Sequence, residues 1–487
     1  MMTTRGFGIA GLEGGRVGLT SGQLEELDAR VEGRLLRQGD EGWEDAILIW
    51  NRMVARSPAL VVQPSSARDV AAVVDFARDH RLLLGIKGGG HNIAGTAIAE
   101  GGLMLDMSRM RDVTVDSGAR VAHVGPGCLL QDVDWATQEH GLATPLGFVS
   151  LTGVAGLTLG GGFGYLTRRF GWTADNLDEV EIVTADGELR TANRDENTDL
   201  FWAVRGAGAN FGVVTRFTLR LHEVGPIITG GLILWSAERA DEVLDAYRAL
   251  TESAPRELTA ATVLMTAPPA PFVPEEWHGA RVVGTLVCHS GANPAADLEP
   301  LRGLGDPIVD LVDEMPYVEM QSLLDNSPSE AKGMHQYWKT EYLAHLSTEY
   351  LDAFRDGALQ AASPLSYAVI FHVGGALNER AGDDGAVGNR DARFISGFSG
   401  VWPPDDPRGE EHVAWVRQCW ERIRHFSTGG NYVNFQLAED DATRTVSAYG
   451  RNHDRLQRVK ARYDPANLFR SNRNVRPALP AASASQP

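Results

Sequence analysis

The run Lys87-Gly88-Gly89-Gly90-His91-Asn92 places a nucleophilic imidazole directly after three glycines. Without Cβ atoms, a backbone reaches positive φ and lets a ligand come within hydrogen-bond distance of its peptide groups. Successive N–H groups in such a turn converge into an anion-binding nest. His91 would then stand beside a phosphate-bearing ligand. Taken alone, the segment also fits a glycine-rich loop closed by a turn histidine. Two further clusters lie within the same strand-rich region. One carries Gly153, Gly156, Gly160, Gly161, Gly162 and Gly164, and the other runs from Arg205 to Gly212. Any one of them is ordinary turn punctuation, whereas three together point to a ligand-holding surface. Gly206-x-Gly208 is not a dinucleotide fingerprint, because helix-like residues (Asp199 to Val204) precede it and a strand (Val213 to Phe217) follows.

Other chemistries find less support. Cys128, Cys288 and Cys419 are few, odd in number and far apart, which fits neither a disulfide framework nor a zinc site. They read as packed thiols, with no metal expected. The 13 histidines show no HExxH-type spacing. A net charge of −19 without a basic stripe disfavours nucleic acid and anionic membranes. No apolar run approaches the roughly 20 residues that span a bilayer. The N-terminal stretch lacks a sustained apolar segment, so a cytoplasmic location is expected.

The elements that must position these loops follow from periodicity. Thr20-Ser21-Gly22-Gln23 reads as a capping box ahead of a helix over 24–36. A strand at 59–62, a helix started by Pro64-Ser65-Ser66 and a strand at 82–86 lead into the first glycine loop. Strands at 103–106, 113–115 and 121–124 precede a helix over 129–140. Asp186-Gly187 marks a hairpin. Residues 226–440 alternate β-rich runs (229–234, 281–288, 366–373) with helices (238–250, 348–361, 409–424). The division expected is an N-terminal helical segment (1–55), a ligand-binding domain (56–225), a second domain with an antiparallel sheet (226–440) and a C-terminal segment (441–487). The end of that segment, Pro480 to Pro487, is expected to fray.

Taken together, the segments resemble the berberine-bridge-enzyme-like branch of the vanillyl-alcohol-oxidase/p-cresol-methylhydroxylase flavoproteins. The resemblance covers nearly the whole chain. It rests on GGGHN at 88–92, GGGFG at 160–164, FWAVRGAGANFG at 201–212, NYVNF at 431–435, Tyr449-Gly450 and Tyr463-Asp464-Pro465. It implies an α+β fold: a two-part FAD-binding domain of the p-cresol-methylhydroxylase type, and a substrate domain whose antiparallel sheet is covered by helices. It further implies FAD joined through its 8α carbon to His91. Cofactor contacts are expected from Lys87, Gly88, Gly89, Gly90 and Asn92. They are also expected from Val149, Thr152, Gly153, Gly156, Gly160, Gly161, Gly162 and Gly164, and from Gly212, Val213 and Val214. The C-terminal segment is expected to pack back on the FAD domain, with Asp464-Pro465 as a turn that fixes it there.

Many relatives carry a second covalent link through a cysteine, and Val149 stands at that position here. The resemblance therefore implies a singly tethered flavin, with a lower potential than doubly linked relatives. Thr152 aligns with a residue beside the oxygen-reactive edge of the flavin. The expected reaction is oxidation of an alcohol or amine carbon of a small-to-medium organic molecule, with O2 as reoxidant. A dehydrogenase using a quinone or protein acceptor, an oligosaccharide oxidase and a flavin-binding protein without turnover are the alternatives. Tyr432 matches the tyrosine that faces the substrate in these proteins. A free tyrosine has a pKa of about 10, so a base at neutral pH needs a nearby cation or donor. Lys339 is a candidate for that cation, although a solvated lysine is the plainer assignment. Period-2 spacing would put Tyr432 and Asn434 on one strand face, with Asn434 orienting the ring or the substrate. His372 and the aromatics Tyr337, Trp338, Trp402 and Phe435 are candidate pocket walls. The oligomeric state is open between monomer and homodimer.

Overall fold

Valine- and leucine-rich runs separated by glycine turns build three larger sheets, and strands of the first and third contribute to the lining of one cavity. The computed structural model describes residues 7–325, 327 and 333–479. Residues 1–6 and Pro480 to Pro487 lie outside that range.

The first sheet orders Arg34–Leu36, Leu60–Gln63, Leu103–Asp106 and Leu84–Lys87, with the last three parallel. Parallel neighbours need a crossover, and Ala67–Asp79 supplies one. Its N-terminus is capped by Ser66 Oγ, which accepts from the Asp69 N–H at 3.2 Å. Its apolar stripe (Val70, Val73, Val74, Ala77) is buried in the core.

The N-terminal stretch departs from the expected helical segment. Thr20 and Gln23 do form the capping box, but the helix is Ser21–Arg30 and ends before residue 36. Two backbone contacts stop it. Buried Asp69 accepts the N–H groups of Glu32 and Gly33. A Cβ on Gly33 would lie 2.0 Å from the Gln63 carbonyl oxygen. Residues 34–36 consequently pair with 61–63 as an edge strand. A hairpin, Phe7–Ala10 with Arg16–Leu19, precedes the helix.

The second sheet is antiparallel and five-stranded: Leu189–Asn193, Leu177–Val183, Val213–Arg220, Val121–Val124, Val113–Asp116. Gly187 turns its hairpin at φ +83°. The third sheet has eight strands, all pairs antiparallel. Helices Ala240–Ser253, Thr348–Ala358 and Gly409–Ile423 cover one face of it through Leu244, Tyr247, Phe354 and Val416. The other face carries Leu286, Val369, Phe371 and Ile395 into the cavity.

Helices Ala442–Tyr449 and His453–Tyr463 bury Tyr449, Leu456 and Val459 in the core of the second sheet. Beyond them, Asp464 accepts from the Leu468 and Phe469 N–H groups at 2.7 and 2.9 Å. Lys460 donates to Asp464 at 2.6 Å and to the Asn210 and Phe469 carbonyls.

Candidate active site

A cavity of about 1060 Å³ runs from the glycine loops to the inner face of the eight-stranded sheet. Its floor is backbone. Gly88 to Asn92 follow the strand Leu84–Lys87 and line the cavity. Gly89 and Gly153 abut so closely that a Cβ on either would lie 2.5 or 2.3 Å from the other's nitrogen. No other residue type permits that contact, and through it the two small sheets meet. Asn92 acts within the loop: its Oδ1 accepts from Ala94 N–H, Thr96 N–H and the Thr96 hydroxyl. The imidazole of His91 stacks on the Trp50 indole, 4.5 Å between centroids.

Val149, Thr152, Gly153, Gly156 and Gly160 also line the cavity. Val149 is aliphatic and offers no nucleophile there. The remaining residues expected at the cofactor stand behind the wall. Lys87 is buried, donates to the Ala46 carbonyl at 2.6 Å and faces Asp106 at 3.7 Å. Gly162 and Gly164 are packed against Thr173 and the Leu146 carbonyl, while Gly161 holds φ +118° in the same turn. Gly212, Val213 and Val214 belong to the start of a buried strand, where a Cβ on Gly212 would meet the Val183 carbonyl oxygen at 2.4 Å.

Tyr432 is 3 % exposed, lies between Trp172 (stacked) and Phe163 (edge-on), and lines the cavity. Its hydroxyl oxygen accepts from the Gly162 N–H at 3.1 Å and the Asn434 amide at 3.0 Å. Burial pushes the phenol up to about 12, opposed by those two donors. Asn434 also donates to the Gly156 carbonyl at 3.2 Å, and its amide packs on Gly160, where a Cβ would lie 2.2 Å from it. The two side chains therefore meet, but not on a strand face. Tyr432 precedes a single 3₁₀ turn, Val433–Phe435, whose tight turn folds Asn434 back onto the phenol.

Lys339 is elsewhere. It sits on the strand His335–Leu343, where Trp338 and Thr340 face the cavity and Lys339 points to the opposite side. There it donates to Asp440 at 2.6 Å and reaches Glu439 at 3.2 Å. Tyr337 shares that face, accepting from Arg417 at 2.8 Å. His372 is buried against Phe394 rather than at the cavity, and burial holds its imidazole well below the usual range. Trp402 packs in the helix-side core. Trp338 and Phe435 do line the cavity. The thiols of Cys128, Cys288 and Cys419 are buried and pushed up by desolvation, to about 12, 12 and 11. Among the described residues, no cluster of three or more His, Cys, Asp or Glu could hold a metal, and no helix is long and apolar enough to cross a membrane.

Two features fit a dinucleotide in the cavity. Gly156 has no positive φ, and a Cβ on it would meet no protein atom within 4 Å, yet it lines the cavity. What a side chain there would displace is the occupant. Among the described residues of the lining, none is Asp or Glu, although the chain carries 64 of them. Arg473 is the one permanently charged side chain in that lining. It donates to the Gln436 carbonyl at 2.8 Å and keeps a buried Nε without a partner. Such a guanidinium suits a diphosphate. The contributions of Trp50 and Arg473 escape sequence reading, since neither sits in a glycine loop: Trp50 stacks behind His91 and Arg473 reaches the cavity wall, both through long-range packing.

These features define an FAD-binding protein of mixed helix and sheet, and comparison with known proteins agrees. The FAD binding domain family matches residues 58–193, and the berberine and berberine-like family matches residues 431–476. An FAD-linked oxidoreductase of Dictyostelium discoideum is 29% identical, covering 93% of this chain and 97% of its own. The (R)-6-hydroxynicotine oxidase of Paenarthrobacter nicotinovorans is also 29% identical, over 92% of this chain and 97% of its own. The crystal structure of 6-hydroxy-D-nicotine oxidase from Arthrobacter nicotinovorans superposes with a TM-score of 0.79 at 27% identity, covering 91% of this chain and 98% of the other. A Physcomitrella patens berberine-bridge-enzyme-like protein shares the fold at TM-score 0.82 and 23% identity, over 93% of this chain and 99% of its own. The chain therefore carries an FAD-binding domain and a berberine-like segment, and is similar over nearly its whole length to FAD-linked oxidoreductases.

Proposed function

We propose that the protein is an oxidase acting on an alcohol or amine carbon of a small-to-medium organic substrate, with FAD held covalently by His91 alone and dioxygen as the reoxidant. The observation that carries this is the Tyr432 hydroxyl, held at the cavity by two hydrogen-bond donors. FAD, when bound, supplies the hydride-accepting atom. Tyr432 takes the proton from the substrate's heteroatom at its phenol oxygen. The Gly162 N–H and the Asn434 amide are already aimed at that oxygen, so they stabilise the phenolate that does this work. Gly160 gives the Asn434 amide its seat. His91 and the glycine loops bind and orient the cofactor, while the sheet excludes water and shapes the substrate's place.

The wall of that place is aliphatic and aromatic, formed by Leu286, Val369, Phe371 and Ile395, with Phe148 stacked on Phe371 at 4.8 Å. This favours an aromatic or polyketide-like molecule over an oligosaccharide, whose hydroxyls need dense polar partners. Similarity to a hydroxynicotine oxidase supports a small nitrogen-containing aromatic substrate. Thr152, small and at the cavity, supports access of dioxygen.

The test is anaerobic mixing with aromatic alcohols, amines and oligosaccharides, followed by air. Bleaching of the flavin by an aromatic alcohol or amine, with recovery in air within seconds, is the expected result. Absence of bleaching by every class contradicts the assignment. Recovery that needs a quinone makes the protein a dehydrogenase. Peptide mapping of the acid-denatured yellow polypeptide should place the flavin on His91.

A further inference from the structure

Trp50 and Asn51 lie outside every motif discussed above, yet they grip the His91 loop from two sides. The Trp50 indole lies nearly parallel to the His91 imidazole, 4.5 Å between centroids and 15° between planes. The Trp50 N–H donates to the Gly90 carbonyl at 3.0 Å, so backbone and ring fix neighbouring points of the loop. Asn51 donates to the Ile93 carbonyl at 2.7 Å on the far side of His91, and to the Gln336 carbonyl at 3.0 Å in the substrate-domain sheet. It accepts the Gln336 N–H in return at 3.1 Å. Trp338 closes edge-on against the indole at 5.2 Å. Trp50 is 2 % exposed and has no solvent space to swing into.

We propose that Trp50 is a positioning residue for flavin attachment, holding the His91 ring in the orientation from which its nitrogen bonds to the cofactor. The inference rests on the covalent role of His91. The ring torsion of a histidine is intrinsically broad. A flat, immobile neighbour narrows it and directs one ring edge to the cavity. The indole face also favours the positive charge that gathers on an imidazole as a nitrogen lone pair is shared. In the bond-forming step, a His91 nitrogen replaces one hydrogen on the 8α carbon. Two protons, one from that carbon and one from the imidazole, leave with two electrons, and dioxygen collects them as hydrogen peroxide.

The test compares wild type with Trp50→Phe, which keeps a flat ring, and Trp50→Leu, which keeps burial without one. Covalent flavin is read by intact mass of the denatured chain, and dissociable FAD by its release on denaturation. In Trp50→Leu the ratio of dissociable to covalent FAD should rise roughly tenfold or more, as expected when a reacting group is misplaced, while total FAD per chain is unchanged. Trp50→Phe should stay near wild type. Wild-type covalent loading in Trp50→Leu overturns the inference. So does a matching loss of total FAD, which marks simple collapse of the loop. A wild-type chain without covalent flavin removes the His91 assignment and this inference together, whereas a fully linked Trp50→Leu chain removes this inference alone.

Discussion

Two donors on one phenol oxygen determine how Tyr432 responds to pH. As the proposed base it would act in its deprotonated form, and burial has pushed it up to about 12. The rate at limiting substrate should therefore rise through the alkaline range. Tyr432→Phe should lower kcat by about 10²–10⁴-fold, the usual worth of a positioned acid or base, with covalent flavin by mass unchanged. Asn434→Ala removes one of the two contacts that hold the phenol down, so the alkaline limb of kcat/KM should move to higher pH. A limb that stays in place in this variant removes Tyr432 from the proton transfer. The pair stands out in the sequence only through its resemblance to the family's Tyr-x-Asn motif, since the period-2 strand expected there is a 3₁₀ turn. The place of Lys339 is not legible. Its neighbours Trp338 and Thr340 face the cavity, and side chains on a strand alternate, so an offset of a single residue decides the face. Nothing local in Gln336-Tyr337-Trp338-Lys339 shows that Asp440, a hundred residues on, receives the lysine.

Helices and loops carry a different kind of constraint. Gly156 lies in the first turns of Val154–Leu159, where alanine is intrinsically better than glycine by about 1 kcal/mol. Because a Cβ there meets only the cavity, Gly156→Ala should leave the apo chain as stable as wild type or more so. In a His91→Ala background, which leaves FAD exchangeable, it should weaken FAD binding. Opposite signs in thermal melting and FAD titration are the signature. A second element-level prediction concerns the helix Leu130–Gln138, which packs on Tyr317–Ser322 of the substrate domain. Buried Asp134 takes a hydrogen bond from Gln321 at 2.9 Å, and desolvation pushes its carboxyl up to about 7. Folding therefore favours its protonated form. That contribution is whole below the ordinary carboxylate pKa and is lost as pH rises through about 7. Asp134→Asn should raise Tm at pH 8, raise it less at pH 5 and flatten the wild-type decline between them. The elements themselves were largely legible from valine periodicity and turn chemistry. The exceptions are tertiary. The helix begun at Ser21 stops at Arg30 because the backbone beyond it is claimed by Asp69 and by the edge of the first sheet, and propensity does not register such partners.

For the whole molecule, the cavity unites segments far apart in the chain: residues 88–97, 147–160, 206–210, the inner face of the third sheet and 469–473 all contribute. The order of motifs made the two glycine loops that line the cavity legible. Which side chains of the third sheet complete the site depends on register and helix packing, which one sequence does not carry. The tail shows how the parts are joined. Lys460 is fully buried in a cage of the Asp464 carboxylate and the Asn210 and Phe469 carbonyls, and the same Asp464 orders the turn that delivers Phe469 to Arg473 into the cavity wall. Lys460→Met keeps the bulk but strands a buried carboxylate and two carbonyls. Breaking such a pair costs about 3–5 kcal/mol, so a clearly lower Tm is expected. Because Lys460 holds the carbonyls of two lining residues, Asn210 and Phe469, FAD retention in a His91→Ala background should fall in parallel. Added FAD should recover part of the lost Tm, since a ligand at a hundred times its Kd contributes about 2.7 kcal/mol. If Tm falls while FAD affinity is unchanged, the tail stabilises the fold without shaping the site, and the coupling of the two through Asp464 is wrong.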